Sequence, residues 1–453
     1  MRRLLPFLFL VLLPIGLVEA APVGSLRVTD AAGAPLLARV TVLMEGTPNI
    51  DARVYFTDPQ GLCRLEGCPT GAARIEASHG PEWSIESATA AVDAASEESL
   101  TLRLRRLYDL PAHGYFQGDA HMHSTYSDGR QKPAEVAYHC RCEGLDWAFL
   151  TDHESVSGHA EFMAAAAPGF LPLGGQEVTT SLGHILALGI KRVVSRDVSR
   201  GAEDMARIFR EIHEQGGLAV VAHPMTPTMS YALWQVEGYD ALEILNGSLP
   251  PYQGVFDLFQ ARLRWHALLN EGKRIAAVGD SDNHENANAI ALGMLRDPAA
   301  AVKADPRIAL LWNLPDRDGL LVPWALKGLC LGTYRTALKL DTLSQSAIFD
   351  AIRASRGFVT NGPILVAATN GLPPGSELRG AQAEVVFDAV CNRGLEKVVV
   401  VANGTAARTL ALEGEAALNQ HVTVPLDGVK WLTVECYGKW PDFATTNAWY
   451  VVP

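Results

Sequence analysis

The sequence predicts an α/β protein whose central part, a parallel sheet or barrel, is flanked on both sides by β-rich segments. Three observations support this fold class. Between residues 112 and 362, short apolar runs alternate with helical patterns, which is the order of parallel strands joined by helices. The segments 24–108 and 363–453 instead carry β-type runs separated by Gly, Pro and Asp turns. Histidines and carboxylates follow several of the central strands directly, where such folds place their chemistry.

The first twenty residues have the pattern of a secretory signal peptide. Two arginines precede an almost unbroken apolar stretch, 4–18, and small residues offer a cleavage site near Ala20. A membrane anchor is the alternative, but the apolar stretch is short for a spanning helix and contains two prolines. We therefore expect an exported protein, periplasmic or extracellular, that is not stably inserted in the membrane after cleavage.

A chain of 453 residues exceeds what one hydrophobic core usually holds, so two or three domains are expected. After a signal peptide at 1–20, we predict an N-terminal β-sandwich at 24–108, an α/β barrel at 112–362 and a C-terminal β-sandwich at 363–453. The N-terminal sandwich lacks clustered ligand residues, which favours a spacer or docking role.

In the central part, buried strands and amphipathic helices can be located individually. A proline- and tryptophan-bearing stretch at 287–331 is too long for an ordinary connection, which indicates either a lid over the site or partial disorder. The predicted strands are Leu145–Leu150, Leu218–Ala222, Ala241–Leu245 and Arg274–Val278, and the predicted helices are Pro133–Gly144, Ala202–Gln215 and Val255–Glu271.

The seven cysteines and the net charge restrict the compartment and the ligand. In an oxidising compartment, the pairs Cys63–Cys68 and Cys391–Cys436 are candidate disulfides, whereas Cys140 and Cys142 fall in a helical pattern and are expected to be buried or free thiols. The net charge of −12, without a basic run after the signal, argues against nucleic acid and favours a small-molecule substrate.

The segment His121-Met122-His123 places two imidazoles on the same side of an extended backbone, where both can face one cation. Further histidines and carboxylates follow at widening intervals, and this mixture of ligands suits Zn, Mn or Fe. They are Asp128, Asp152, His153, Glu177, His184, His223, Asp282 and His284.

These motifs resemble the PHP (polymerase and histidinol phosphatase) superfamily. The motifs are His121-x-His123-Ser124-x-x-Ser127-Asp128-Gly129, Leu150-Thr151-Asp152-His153, Gly175-Gln176-Glu177, Gly183-His184-Ile185, Ala222-His223-Pro224 and Gly279-Asp280-Ser281-Asp282-Asn283-His284. Phe358-Val359-Thr360-Asn361-Gly362-Pro363, Pro374-Gly375 and Thr446-Asn447-Ala448-Trp449-Tyr450-Val451 look like the CehA/McbA branch, which a carbaryl hydrolase typifies. The resemblance covers about residues 115–453.

The resemblance implies a distorted β/α barrel of seven strands that holds two or three divalent ions. It assigns His121, His123, Glu177 and Asp282 to a first metal, Glu177, His184 and His223 to a second, and Asp128, His153 and His284 to a third. Among these residues, Glu177, Asp282 and His223 are predicted to be catalytic. A carboxylate can bridge two cations with its two oxygens, and two cations about 3.5–4 Å apart lower the pKa of a shared water. We therefore predict hydrolysis by a metal-bridging hydroxide.

Three polar residues lie in or near the motifs. We expect Asp152 to accept a hydrogen bond from a metal-bound imidazole, with a helix N-cap as the alternative. Asp280 is a candidate for contacting either a ligand or the substrate, and Arg335 for clamping an anionic substrate, with a surface position as its alternative. We expect no ligand role for His113, which falls in the linker, or for His159, His213 and His266, which fall in helical or loop contexts.

Three functions remain open at this point. Phosphoester hydrolysis is the commonest chemistry of the wider superfamily, and several cations suit a phosphoryl group. Resemblance to the carbaryl hydrolase branch implies carbamate or amide cleavage instead. A non-catalytic exported protein that binds a metal or ligand is the third possibility, although the sequence lacks none of the expected ligands.

Overall fold

The computed structural model describes residues 21–46, 53–226, 229–247, 251–284, 331–439 and 442–453. The predicted signal peptide and all but the last residue of the predicted 287–331 insertion lie outside the described residues. Where the chain is described, its fold is mixed α/β, with large sheets and few helices. No helix in these ranges is both long and apolar enough to cross a bilayer.

The N-terminal segment forms two small sheets. One has three strands in the order β4-β1-β7, and the other has four in the order β3-β2-β5-β6. Side chains from both sheets share one apolar cluster, to which Leu26, Val40 and Ile75 contribute fully buried side chains. The strands are β1 Ser25–Asp30, β2 Arg39–Met44, β3 Arg53–Phe56, β4 Leu62–Arg64, β5 Gly71–Ser78, β6 Glu86–Val92 and β7 Ser99–Leu104.

Seven central strands, β8 to β14, neighbour one another in chain order. They are β8 Tyr115–Asp119, β9 Trp147–Leu150, β10 Leu171–Thr180, β11 Gly183–Leu188, β12 Leu218–Ala222, β13 Ala241–Asn246 and β14 Ala276–Asp280. The pairs β8–β9, β9–β10, β12–β13 and β13–β14 are parallel, as expected. β11 is antiparallel to both β10 and β12. The sequence did not indicate this reversal.

Three of the five described helices, α1, α3 and α4, lie within a few residues of the helices that the periodicity predicts, whereas α2 and α5 are not among the predicted helices. α3 buries Met205, Ile208, Phe209 and Ile212 on one face, because these positions recur at helical spacing. α5 begins after Ser344, whose hydroxyl accepts a hydrogen bond from the Ala347 N–H at 3.2 Å. The helices are α1 Pro133–Cys142, α2 His159–Met163, α3 Ala202–Glu214, α4 Pro251–Asn270 and α5 Gln345–Arg353, and a 3₁₀ turn spans Pro111–His113.

The C-terminal strands continue the central sheet. β15 Arg335–Lys339 pairs with β8, and β16 Gly357–Thr360 pairs with β15 and with β22, so one hydrogen-bonded path joins the two regions. The sequence predicts a separate C-terminal sandwich, but the described ladder runs on without a break. The remaining strands are β17 Ile364–Thr369, β18 Glu377–Leu378, β19 Gln382–Ala402, β20 Thr405–Pro425, β21 Trp431–Gly438, β22 Phe443–Thr446 and β23 Trp449–Val451.

The structure does not form either predicted disulfide. The six cysteines of the described ranges are all buried thiols. Cys391 Sγ lies 3.7 Å from Asp442 Oδ2 rather than bonded to Cys436. Cys68 Sγ contacts Met44 Sδ at 4.0 Å, whereas Cys63 Sγ contacts the carbonyl of Arg64, so these two sulfurs face different partners.

Candidate metal centre

The ends of β8 and β14 are held together by two carboxylates that cross between them. Asp119 Oδ1 accepts the N–H of Ser281 at 3.0 Å, and Asp280 Oδ1 accepts the N–H of Ala120 at 2.7 Å. Two residues beyond Ala120 and Ser281, an isolated parallel bridge joins Met122 to Asn283. His121 and Asp282, which lie far apart in the chain, are therefore brought to one point.

Four buried side chains meet where these strands end. His121 Nε2 lies 3.0 Å from Glu177 Oε2 and 3.1 Å from Asp282 Oδ1. His123 Nε2 lies 3.2 Å from each of the same two oxygens. The donor atoms of His121, His123, Glu177 and Asp282 lie within 4.8 Å of one another, and together they could hold one metal ion.

Glu177, near the end of β10, also belongs to a second group. Its Oε1 lies 2.6 Å from His184 Nδ1 and 3.0 Å from His223 Nε2. His184 is on β11, which pairs with β10, and His223 follows β12 directly. The two oxygens of Glu177 therefore face different groups of imidazoles, as a carboxylate that bridges two ions would.

A third group lies at the outer side of the first. Asp128 Oδ2 is 3.5 Å from His153 Nε2 and 3.3 Å from His284 Nε2. The His123 ring stacks against those of His153 and His284, with centroid distances of 4.4 and 4.1 Å. Asp128 is 57% exposed, whereas Glu177 is 1% exposed, so this group is the part of the centre nearest to solvent.

Charge within the centre favours a bound cation. Burial lowers the pKa of His223, but the hydrogen bond and the charge of Glu177 outweigh it and raise that pKa to about 9. Burial would raise the pKa of Glu177, yet His121 and its neighbouring imidazoles hold it well below the ordinary value. The ring nitrogens and carboxylate oxygens of each group converge within 4.8 Å of one another, and once the imidazoles have lost their protons they are the ligand types that divalent transition ions take. The donor set therefore fits divalent ions.

One carboxylate at the centre was not singled out from the sequence. Glu243, on β13, accepts a hydrogen bond at Oε1 from His121 Nδ1 at 3.1 Å and at Oε2 from the N–H of His223 at 2.5 Å. It is fully buried. An available signal was a lone acidic residue inside the apolar run Ala241–Leu245, since buried strands seldom carry unpaired charge.

Two of the three expectations for neighbouring polar residues are wrong. Asp152 accepts three hydrogen bonds of 2.7 Å, from the Ser124 N–H and from the hydroxyls of Ser124 and Ser127, so it orders the ligand loop rather than an imidazole. Arg335 is 2% exposed and donates to Gly332, Gln117 and Glu143, so it neither clamps a substrate nor lies at the surface.

Asp280 contacts the backbone of the centre. It is fully buried, and its Oδ1 accepts the Ala120 N–H, so it supports the ligands from behind.

The histidines expected to have no ligand role lie outside the three groups. His159 Nε2 bonds the carbonyl of Gly175 at 2.7 Å, His213 pairs with Asp240, and His266 is buried in the core at 5% exposure. His113 lies in the 3₁₀ turn.

Comparisons with known proteins give local and weak similarity. No model of a known protein family matches the chain. An uncharacterised protein of Methanocaldococcus jannaschii is 27% identical over 123 residues, which are 24% of this chain and 69% of that protein. A 3′,5′-nucleoside bisphosphate phosphatase of Chromobacterium violaceum is 43% identical over 77 residues, 16% of this chain, and the match spans only 27% of the phosphatase.

Among solved structures, a two-domain protein of Bacteroides vulgatus that contains a predicted PHP-like metal-dependent phosphoesterase is 18% identical. The alignment covers 74% of this chain and 94% of that one, with a TM-score of 0.38.

Proposed function

We propose that this chain, a protein of the PHP superfamily by its ordered motifs, is a metal-dependent hydrolase that acts on phosphoesters of small molecules. The observation that carries the proposal is the position of Glu177, whose two oxygens face two separate sets of buried imidazoles. The local match to a 3′,5′-nucleoside bisphosphate phosphatase supports phosphoester hydrolysis over carbamate or amide cleavage and over a non-catalytic binding function.

The proposal assigns a role to each group of side chains. His121, His123, Glu177 and Asp282 would hold one ion, and His184 and His223 would share Glu177 around another. Two such ions, when bound, lower the pKa of a shared water and supply a hydroxide at neutral pH. The carboxylates of Glu177 and Asp282 offset the positive charge, and burial keeps bulk water away from these residues.

Asp128, His153 and His284 form the outermost group, so they would be the first to meet the oxygens of an arriving phosphoryl group. We propose that they hold a third ion, with Zn, Mn and Fe as the candidate metals for all three positions.

A distorted seven-stranded barrel is part of the proposal. Strands β8 to β14 follow one another in space, and the crossed bonds of Asp119 and Asp280 bring the first of them to the last. The ligands would then gather at one mouth of the barrel, as they do in other β/α barrels.

The test is hydrolysis by the purified mature chain loaded with Zn or Mn. We expect turnover of p-nitrophenyl phosphate or its bis ester that a chelator abolishes and metal restores, and that Asp282→Asn loses. Turnover of 1-naphthyl carbamates alone would replace the proposal with the carbamate hydrolase suggested by the C-terminal motifs. If the protein binds metal stoichiometrically but hydrolyses none of these substrates, the non-catalytic metal-binding function replaces the proposal.

Export to the periplasm or beyond, with cleavage near Ala20, is a separate part of the proposal and rests on the N-terminal sequence alone. N-terminal sequencing of the protein recovered from the periplasm or medium of the expressing cells tests it. Recovery of only an uncleaved, cytosolic chain would overturn this part.

A further inference from the structure

We infer that Glu243 is a positioning residue that fixes His121 and His223 on opposite sides of Glu177 and so sets the spacing of the two inner metal groups. The inference rests on the proposed function. It concerns a residue that belongs to none of the three groups of candidate ligands.

Glu243 and Glu177 contact the same two histidines from opposite directions. Glu177 faces the Nε2 atoms of His121 and His223, at 3.0 Å in both cases. Glu243 accepts from a second nitrogen of each residue, the Nδ1–H of His121 and the backbone N–H of His223. Each histidine is therefore held between two carboxylates, and the two rings lie nearly parallel with centroids 5.7 Å apart.

The bond to His121 decides which ring nitrogen can bind a metal. A carboxylate can only accept, so the imidazole keeps its proton on Nδ1 and presents the lone pair of Nε2. That lone pair lies 3.0 Å from Glu177 Oε2 and 3.1 Å from Asp282 Oδ1, where an acceptor would be repelled unless a cation or a proton lay between. Carboxylate partners of this kind also raise the basicity of a ligating imidazole.

The bond to His223 fixes its backbone. His223 has a φ of +24°, a conformation that a side chain other than Gly adopts only when its surroundings hold it. Glu243 Oε2 accepts the N–H of this residue and also a bond from Asn246 Nδ2 at 2.8 Å. The ladder between β13 and β14 shifts register between Glu243 and Leu245, and such bulges re-aim side chains beside active sites.

A purely structural role would also account for a buried carboxylate, so the test must separate the two. Glu243→Gln keeps the shape but introduces an NH₂ group. Whichever way the amide turns, a donor faces either His121 Nδ1 or the N–H of His223. The first orientation moves the His121 proton to Nε2, and the second repels the backbone of His223. Both disturb metal binding.

The experiment is titration of the metal-free protein with Zn²⁺ in competition with a chromophoric chelator, alongside thermal unfolding. We expect Glu243→Gln to weaken Zn²⁺ binding by about 10- to 100-fold, and to lower kcat at fixed metal while KM is kept. Glu243→Asp, which keeps the charge but is one methylene shorter, should lie between this variant and the native protein. If Glu243→Gln does not fold, the Glu243→Asp titration alone decides, with at least a threefold loss expected.

Glu435→Gln is the matched control. Glu435 is also a buried carboxylate, 2% exposed, and it is bonded to Arg262 and Tyr437. Neither partner belongs to the three groups of candidate ligands. Glu435→Gln should therefore lower Tm without weakening Zn²⁺ binding. Native Zn²⁺ affinity in Glu243→Gln, with only Tm lowered, would overturn the inference. Zn²⁺ binding without phosphoester turnover in the native protein would remove the proposed function but leave this inference standing. Absence of Zn²⁺ binding in the native protein would overturn both.

Discussion

At the scale of single residues, Glu177 has the largest number of contacts in the centre, since five imidazoles approach its two oxygens. We expect Glu177→Gln to lose one ion preferentially. His121, His123 and Asp282 would remain around the first position, whereas only His184 and His223 would remain around the second. Turnover should fall by about 100-fold or more, because the shared water depends on both ions. Metal analysis and steady-state kinetics of the same preparation measure both effects.

His159→Ala is the control for that experiment. The imidazole bonds the carbonyl of Gly175, two residues before Glu177, and packs behind Gly174, so its loss leaves a small cavity near β10. Stability should fall by roughly 1–2 kcal/mol while the metal content stays native. Native metal content in Glu177→Gln together with metal loss in His159→Ala would contradict the ligand assignment at its central residue.

Protonation of the centre should give the metal-free protein an unusual pH dependence. His223 is buried and His284 is partly buried, which lowers their pKa, but carboxylates beside them raise each pKa to about 9, above the unfolded value of roughly 6.5. A pKa that is higher in the folded state contributes stability below pH 6.5, and this contribution is lost as the pH rises through 9. We expect the Tm of chelated protein to fall across this interval.

Metal binding should respond in the opposite sense, because a ligating imidazole must first lose its proton. The gain in Tm on adding Zn²⁺ should therefore increase from pH 6.5 to 9. Differential scanning fluorimetry with chelator and with Zn²⁺ measures both trends. A metal-free Tm that rises over this interval would show that these histidines are neutral without metal.

The sequence motifs identify the candidate metal ligands, but they do not identify the carboxylates that hold those ligands in place. All nine candidate ligands fall in the three groups, and each lies in one of the short motifs that the sequence shows. The supporting carboxylates are set by contacts across the fold, so their roles had no local signal. Asp152 bonds serines 25 to 28 residues earlier, and Glu243 contacts His121 from 122 positions away. The misassigned Arg335 likewise bonds Gln117 across 218 positions.

At the scale of elements, continuous apolar runs predict four of the seven central strands, β9, β12, β13 and β14, but not β8 or the antiparallel pair of β10 and β11. Strands buried on both faces show no alternation, and β10 and β11 are almost wholly buried. The available signal was their separation, since only Ser181 and Leu182 join them and two residues allow only an antiparallel turn. This hairpin matters for the site, because it places His184 beside Glu177.

The long hairpin of β19 and β20 shows the opposite difficulty. Each strand has 21 residues, but most of β20 is exposed, so its outer part lacks the apolar pattern from which strands are predicted. The apolar half of the pair, β19, holds the strand in place through its ladder.

At the scale of the whole molecule, the N-terminal sheets are attached to the central part through α1. Tyr138 donates to the Thr57 carbonyl at 2.5 Å, and His139 stacks on Phe56 with centroids 3.8 Å apart. Arg39 of β2 pairs with Glu143, just beyond α1, at 3.0 Å. The N-terminal segment is therefore packed on the helix that follows the ligand loop, which a freely tethered spacer would not be.

The Arg39–Glu143 pair offers a test of how firmly these regions are coupled. Glu143 is 3% exposed, and burial raises its pKa while Arg39 and then Arg335 lower it. Arg39→Met should destabilise the protein by about 3 kcal/mol, because it removes the nearer cation from a buried carboxylate. Glu143→Gln in the same chain removes the unpaired buried charge. The double variant should therefore be more stable than the sum of the single changes predicts, by roughly 1–3 kcal/mol.

Urea unfolding of the native protein, the two single variants and the double variant gives this coupling energy, and the Zn²⁺ content of the folded variants should stay native. Strict additivity would mean that the pair does not hold the N-terminal sheets against the central part.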